Sequence, residues 1–172
     1  MIAYRIGPET ARLHHRALEV GDAEFFYELN SHPDVMRYTG EAPLPSVEAA
    51  ADAIRAYPDF ESVGYGRWAC ALRTTGELIG FCGLKYLPDL DEVDLGYRFL
   101  PRHWGRGYAT EAGAASLAFG FETLGLERIV GFVLPENPAS IRVLEKLGLR
   151  PVGEHVEDGR PVLKYEIRRE AP

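Results

Sequence analysis

The chain has 172 residues, 46% of them hydrophobic and 26% charged, which is enough for one compact domain with a substantial core. Its 19 Lys and Arg residues against 26 Asp and Glu residues give a formal net charge of −7. A chain of this charge is a poor general binder of nucleic acid, because neutralising phosphates requires a cationic face. The acidic balance mildly favours a cationic or amine-bearing partner.

Other classes of protein are disfavoured by what the sequence lacks. The two cysteines form no C-x-x-C pair and no zinc-like cluster with histidine, so we expect neither a metal nor a disulfide. No stretch approaches the roughly 18 apolar residues of a membrane span, and the first residues lack the apolar core of a signal peptide. We therefore expect one domain over residues 1–172, cytoplasmic and without a membrane partner.

The first part of the chain predicts a strand followed by two helices. The strand is expected over residues 11–18 and the first helix over residues 23–30. Three prolines indicate a loop over residues 31–45. Ser46 then caps a second helix whose apolar residues recur at helical spacing, and Pro58 ends it.

The middle of the chain predicts strands, with alternating apolar residues in 93–99 and with apolar residues on both faces of 78–87 near Ile79 and Phe81. Residues 67–73, 78–87 and 93–99 predict three strands, and the short turns between them indicate an antiparallel meander.

The second half returns to helical spacing and ends in a hairpin. Helices are predicted over residues 107–121 and 138–147, with a buried strand over residues 128–134 between them. Strands 152–156 and 162–167 then form a hairpin around Asp158 and Gly159. This order of elements predicts a mixed α+β fold with a mostly antiparallel sheet.

One segment, from residue 94 to residue 121, places a strand, a loop with two glycines and a long helix in succession. Gly105 and Gly107 leave room for a ligand, and the successive amide N–H groups at the start of a helix attract an anion. A cationic patch is predicted beside them, made of Arg98, Arg102, His103 and Arg106. These features indicate phosphate or pyrophosphate, although the glycines could also serve only to turn the chain into the helix.

Two other glycine motifs do not fit this loop. The dinucleotide fingerprint G-x-G-x-x-G needs a third glycine where Thr110 stands. The Gly-Lys-Ser/Thr of a P-loop is absent.

A second motif, Asn137-Pro138-Ala139-Ser140, lies where the strand 128–134 meets the following helix. Asn137 could simply cap that helix, since asparagine is a preferred N-cap residue. Ser140, in the first turn, could merely be exposed.

The two motifs, in this order and spacing, resemble the GNAT superfamily of N-acetyltransferases. The resemblance runs over R-x-x-G-x-G and the following Tyr-Ala-Thr-Glu-Ala, then over N-P-A-S-I-R-V-L-E-K-L-G, and covers residues 11–167. The opening residues and the Asn-Pro-Ala-Ser motif resemble more narrowly the branch of ribosomal-protein N-terminal (alanine/serine) acetyltransferases. The resemblance implies a GNAT-like fold, with a mixed sheet of about seven strands, splayed central strands and about four flanking helices.

The resemblance also implies a binding site for acetyl-CoA, with no metal. Main-chain amides of the loop would wrap the pyrophosphate, the end of the preceding strand would pair with the pantetheine arm, and Asn137 would lie near that arm. The implied binding residues are Phe99, Leu100, Arg102, His103, Trp104, Gly105, Arg106, Gly107, Tyr108, Ala109, Thr110, Asn137 and Ser140. Ser140 would also protonate the leaving thiolate. Asp94, where many relatives have Glu, is the best candidate base, and its alternative is a strand carboxylate without a catalytic role.

The implied activity is direct transfer of an acetyl group from acetyl-CoA to a primary amine. The acceptor is open: a protein N-terminus, a polyamine, an amino acid or an antibiotic amine. Its site would be formed by the first two helices and the loops 31–45 and 57–66. The alternative function is a non-catalytic acyl-CoA-binding sensor or scaffold, and a less favoured one is an unrelated phosphate-binding enzyme. We expect a monomer or a homodimer.

Overall fold

A seven-stranded sheet runs through the chain in the spatial order β1-β2-β3-β4-β5-β7-β6. The structure, a computed structural model, describes residues 1–171; Pro172, the last residue of the predicted domain, lies outside it. The strands are β1 (Leu13–Arg16), β2 (Arg67–Leu72), β3 (Leu78–Leu87), β4 (Glu92–Phe99), β5 (Arg128–Val133), β6 (Arg150–Glu157) and β7 (Arg160–Arg168). The predicted α+β fold with about seven strands is confirmed.

The helices lie on both faces of this sheet. They are α1 (Ala23–Ser31), α2 (Pro33–Met36), α3 (Val47–Ala56), α4 (Asp59–Ser62), α5 (Tyr108–Ala118) and α6 (Pro138–Lys146). The last turn of α5 widens into a π-helical segment, Phe119–Thr123. Two of these helices, α2 and α4, fall in segments that the sequence indicated as loop.

The first strand is shorter than the predicted range 11–18. After Arg16 the chain leaves β2, because the Ala17 amide donates to the carbonyl oxygen of Arg5 at 2.6 Å. The hairpin at the other end of the sheet is longer than predicted, and its turn is at Asp158 and Gly159, both with positive φ, as the sequence indicated.

The sheet opens between β4 and β5. All other neighbouring strands run antiparallel along several residues, whereas β4 and β5 are parallel and share one residue pair, Asp94 with Val130. From Leu95 to Phe99 the edge of β4 has no partner on that side. The predicted splaying of the central strands is confirmed, and it leaves a wedge between two strand edges whose backbone groups can bind a ligand.

Alternate residues of β4 face opposite sides of the sheet. Leu95 and Tyr97 face α5 and α6, on the side that holds the larger core cluster. Asp94, Gly96 and Arg98 face the opposite side, where Phe26 of α1 packs on the sheet. Residues on the two sides of one strand can therefore act on the same wedge from opposite directions. Within residues 1–171, no helix combines the length and the apolar character needed to cross a membrane.

Candidate active site

The glycine loop, residues 102–110, joins β4 to α5. Gly105 has φ +74° and Gly107 has φ +82°, a left-handed backbone that favours glycine. Gly107 is also the N-cap residue of α5, so no side chain caps the helix start. A Cβ added at Gly105 would meet open space, which means that the loop presents bare backbone to its surroundings.

The amides of this loop are not used inside the protein. None of the six backbone N–H groups from Gly105 to Thr110 donates a hydrogen bond to another group in residues 1–171. Unsatisfied amides at the N-terminus of a helix carry partial positive charge and bind anions. The loop therefore has the backbone geometry of a phosphate site.

Arg12 of the N-terminal segment braces this loop, a contact that the sequence did not reveal. Its Nη1 donates to the Arg106 carbonyl oxygen at 2.9 Å, and its guanidinium lies 4.2 Å from the ring centroid of Tyr108. Its Nε pairs with Glu111 in the first turn of α5 at 2.7 Å. Because that carboxylate is paired with Arg12, its repulsion of an anion at the helix start is reduced.

The predicted cationic patch was wrong for Arg98, and two of its other members, Arg102 and His103, contact carboxylates. Arg102 pairs with Glu28 and Glu77 instead, at 2.6 Å and 3.2 Å. His103 is buried, with Nε2 3.5 Å from the same Glu77. Arg98 lies on the α1 side of the sheet. The carboxylate partners of Arg102 and His103 come from distant segments, and pairing of this kind is not visible in local sequence.

The remaining binding residues predicted from the resemblance lie at the end of β4 and in the loop. Phe99 and Leu100 are buried, and the Leu100 amide already donates to Ile79 at 2.9 Å. Trp104 is half exposed and donates from Nε1 to the Phe99 carbonyl oxygen at 2.7 Å. Ala109 and Thr110 lie in the first turn of α5.

Ser140 and Tyr97 meet at the wedge on its α6 side. Their hydroxyl oxygens are 2.7 Å apart. Burial raises the pKa of Tyr97 to about 12, so the phenol keeps its proton at neutral pH. Asn137 caps α6, since its Oδ1 accepts from the Ser140 amide at 3.2 Å, and the capping interpretation of Asn137 is therefore present in the structure.

Asp94 lies where β4 and β5 part, on the opposite side of the sheet from Tyr97. Its carboxylate accepts from Arg67 Nη2 at 2.7 Å. Burial raises the pKa of Asp94 to about 6, and Arg67 opposes that rise. The Arg67 guanidinium crosses the face of Gly96, where an added Cβ would collide with it, and its buried Nε has no partner in the part of the chain that the structure describes.

A cavity of about 240 Å³ lies on the same side as Asp94. Part of its wall comes from α1, α3 and the segments before and after α3, which the sequence indicated for the acceptor, and the rest comes from the N-terminal segment and from β2, β3 and β4. The lining residues are Arg5, Leu18, Phe26, Glu41, Ala53, Ile54, Tyr57, Phe60, Arg67, Phe81, Lys85 and Arg98. Tyr97 is not among them, because it faces the other side of the sheet.

No group of three or more His, Cys, Asp or Glu side chains within residues 1–171 is arranged to hold a metal ion. Cys70 and Cys82 are buried thiols, and burial raises the pKa of both. The chemistry available at the wedge is therefore that of free amides, two hydroxyls and a paired carboxylate.

The sequences of known proteins identify the family of this chain. Residues 12–150 match the acetyltransferase (GNAT) domain. The chain belongs to the GNAT family of N-acetyltransferases. It is 35% identical over 147 residues to the uncharacterized N-acetyltransferase YoaA of Bacillus subtilis, covering 84% of this chain and 83% of that protein. The family prediction is confirmed.

Solved structures of GNAT proteins share the fold. A GNAT-family acetyltransferase from Bacillus anthracis superposes with a TM-score of 0.79 at 29% identity, over 93% of this chain and 96% of that one. Spermidine N-acetyltransferase from Vibrio cholerae, in complex with CoA and spermine, gives 0.76 at 26% identity, over 91% and 95%. A Vibrio cholerae protein provisionally named a ribosomal-protein-serine acetyltransferase gives 0.75 at 21% identity over 98% and 100%, which shows a shared fold.

Proposed function

We propose that this GNAT protein transfers the acetyl group of acetyl-CoA directly to a primary amine. The observation that carries the proposal is the position of the six unpaired amides, 105–110, next to the wedge between β4 and β5. The amides can bind a diphosphate, and the wedge can hold an extended chain. Acetyl-CoA contains both a diphosphate and an extended pantetheine arm.

The residues present fit such a ligand. Gly105 and Gly107 leave the loop open, and Arg12 fixes the loop while adding positive charge beside it. The unpaired edge of β4 beyond Asp94 offers backbone groups to an extended chain, as an added strand would use them. When bound, acetyl-CoA supplies an activated carbonyl and a thiolate leaving group.

Ser140 is proposed to deliver the proton that the leaving thiolate needs. Tyr97 shares its hydrogen bond and holds a proton at neutral pH, so the pair can act as a two-hydroxyl donor. Asn137 fixes the first turn that carries Ser140, and it is placed to orient the pantetheine arm.

Asp94 is proposed to accept, through a water molecule, the proton that the acceptor ammonium must lose before its amine can attack. A pKa of about 6 leaves it ionised at neutral pH and closer to the operating pH than an ordinary aspartate. Arg67 holds the carboxylate in one orientation. In this arrangement the base and the acid act from opposite sides of β4.

The experiment is acetyl-CoA turnover with a panel of primary amines that includes peptides of different first residues. We expect thiol release with at least one amine, an acetylated product by mass spectrometry, and saturable binding of acetyl-CoA by calorimetry. Binding without turnover on any amine would support the alternative, a non-catalytic sensor or scaffold. Absence of binding to both CoA and acetyl-CoA would refute both functions. A cytoplasmic location, a single domain and a monomeric or homodimeric state stay predictions.

A further inference from the structure

The proposed acceptor cavity is lined by more cationic than acidic side chains, although each of these cations has a carboxylate partner. The net charge of the chain is −7, yet four cationic side chains line the cavity and one acidic side chain, Glu41, does so. The four are Arg5, Arg67, Lys85 and Arg98. The acidic composition favoured a cationic acceptor, whereas the lining of this cavity does not.

Two of these cations are paired with carboxylates that are mostly buried. Arg67 pairs with Asp94, and Lys85 pairs with Asp59 at 2.9 Å. The side chains of both aspartates are mostly buried, 14% and 11% exposed. A ligand cannot replace such partners without burying an unpaired charge.

One side of the Arg98 guanidinium is fixed by the protein interior. Its other side contacts a partner that a ligand could replace. Its Nη1 donates to Oδ1 of Asn30 at 2.7 Å, and the buried Asn30 is itself fixed by a bond from Nδ2 to the Phe26 carbonyl oxygen. Its Nη2 pairs with Glu41 at 3.0 Å. The Arg98 side chain is 16% exposed, whereas that of Glu41 is 62% exposed.

The pair between Arg98 and Glu41 is therefore asymmetric. A guanidinium that is mostly buried needs an anionic partner, because an unpaired buried charge is costly. An exposed glutamate in a loop loses little when it returns to water, because exposed ion pairs contribute little to stability. A carboxylate of a ligand could take its place, and the planar guanidinium suits a carboxylate well.

We propose that Arg98 binds a carboxylate of the acceptor in place of Glu41, so that the acceptor is an amine that also carries a carboxylate. This inference rests on the proposed function. Arg98 and Gly96 lie on the same face of β4, two residues and about 6.6 Å apart along the strand. The carboxylate therefore lies near the wedge, within reach of a free amino acid or of an acidic residue near a peptide N-terminus.

The test compares acceptors that differ only in this charge. Free amino acids are measured against their carboxamides, and Ala-Glu-amide is measured against Ala-Gln-amide, to distinguish the free-acid source from the peptide source. We expect kcat/KM at least about tenfold higher for the acid of one of these pairs, the size of a lost charged hydrogen bond. Spermidine, which presents only positive charge to the cavity, is expected to be a poorer acceptor.

Variants of the two residues should move KM in opposite directions. Arg98→Met should raise KM for the acid at least about tenfold, with a smaller change for its amide. Glu41→Gln, at an exposed position, should lower KM for the acid because it removes the competing carboxylate. Asp52→Asn, which removes an exposed charge from α3 outside the cavity, is the matched control and should leave KM unchanged.

The outcomes separate this inference from the proposed function. Equal kcat/KM for acids and amides, or unaltered KM in Glu41→Gln, would overturn the carboxylate assignment while acetyl transfer stands. If no amine is acetylated, the proposed function fails. The assignment of a carboxylate to Arg98 can then still be tested by thermal unfolding in the presence of CoA. Amino acids, or Ala-Glu-amide, should then raise the Tm of the wild type and of Asp52→Asn, but not that of Arg98→Met. If neither ligand raises the Tm of the wild type, the assignment of a carboxylate to Arg98 is refuted.

Discussion

The hydroxyl oxygens of Tyr97 and Ser140 lie 2.7 Å apart and join β4 to the first turn of α6 across the wedge between β4 and β5. The two residues are 43 positions apart in sequence, and both motifs that carry them must be in place before the contact exists. Under the proposed function, this contact links two hydroxyl groups that could supply a proton to the leaving thiolate.

Removing either hydroxyl should slow turnover more than it weakens coenzyme binding. We expect Ser140→Ala and Tyr97→Phe each to lower kcat by about 10²-fold, the usual size of a lost general acid. The affinity for acetyl-CoA, measured by calorimetry, should change far less. Tyr86→Phe, which removes an exposed phenol bonded to Asp91, is the control. Full activity in Tyr97→Phe would leave Ser140 as the sole donor, and full activity in both variants would make them structural.

The glycine loop should not tolerate a carboxylate. Gly107→Glu places a negative charge and a bulky side chain among the amides 105–110, and we expect saturable binding of acetyl-CoA to disappear in calorimetry. Gly125→Glu is the matched control, because Gly125 also has positive φ, at +68°, with open space around it. The two variants should lose similar amounts of stability. Unchanged affinity for acetyl-CoA in Gly107→Glu would show that the diphosphate binds elsewhere.

Asp94 should set the acidic limb of the pH–rate profile. Its pKa in the folded protein is raised to about 6, so the carboxylate is protonated below that pH and ionised above it. We expect kcat/KM to rise with pH through about 6 in the wild type, and the rise to vanish in Asp94→Asn along with most of the activity. Asp89→Asn, at an exposed turn, should keep the wild-type profile. A profile that is unaltered in Asp94→Asn would assign the base to another group.

Gly96 should be intolerant of even one added methyl group. A Cβ at this position would collide with the Arg67 guanidinium, so the side chain of Arg67, which is paired with Asp94, must shift in Gly96→Ala. We expect the free energy of unfolding to fall by about 1–3 kcal/mol in a denaturant titration, as for other overpacked sites. Gly21→Ala is the control, since nothing lies within 4 Å of its added Cβ. Equal stabilities of the two variants would contradict the close approach of Arg67.

Much of the fold was predictable from periodicity, and the exceptions have local causes. The apolar residues along β2 to β4 and the helical spacing in α3, α5 and α6 were enough to locate these elements. The helices α2 and α4 were missed because Pro33 and Pro58 indicated loop. Proline also suits the start of a helix: Pro33 is the first residue of α2, and Pro58 is the N-cap residue of α4.

The candidate site also has parts that the sequence predicts and parts that it does not. Backbone features, such as the glycine loop and the cap at Asn137, are written in local sequence and were found there. Side-chain charges were not, because their partners come from distant segments: Arg102 is held by Glu28, and Arg12 reaches the loop from the N-terminal segment. One local signal was available for Arg67, since a glycine inside a strand, here Gly96, often marks a close approach by another group.

The order of the parts along the chain separates two tasks in large part, with Arg12 and Tyr97 as exceptions that contact the donor side from the N-terminal half. Every residue that lines the cavity precedes Phe99, whereas the free amides, Asn137 and Ser140 all follow it. Under the proposed function, changes in which amine is accepted would accumulate in one stretch of chain while donor handling stays intact in the other. A chimera of two GNAT relatives exchanged at the end of β4 would then inherit its acceptor preference from the N-terminal parent.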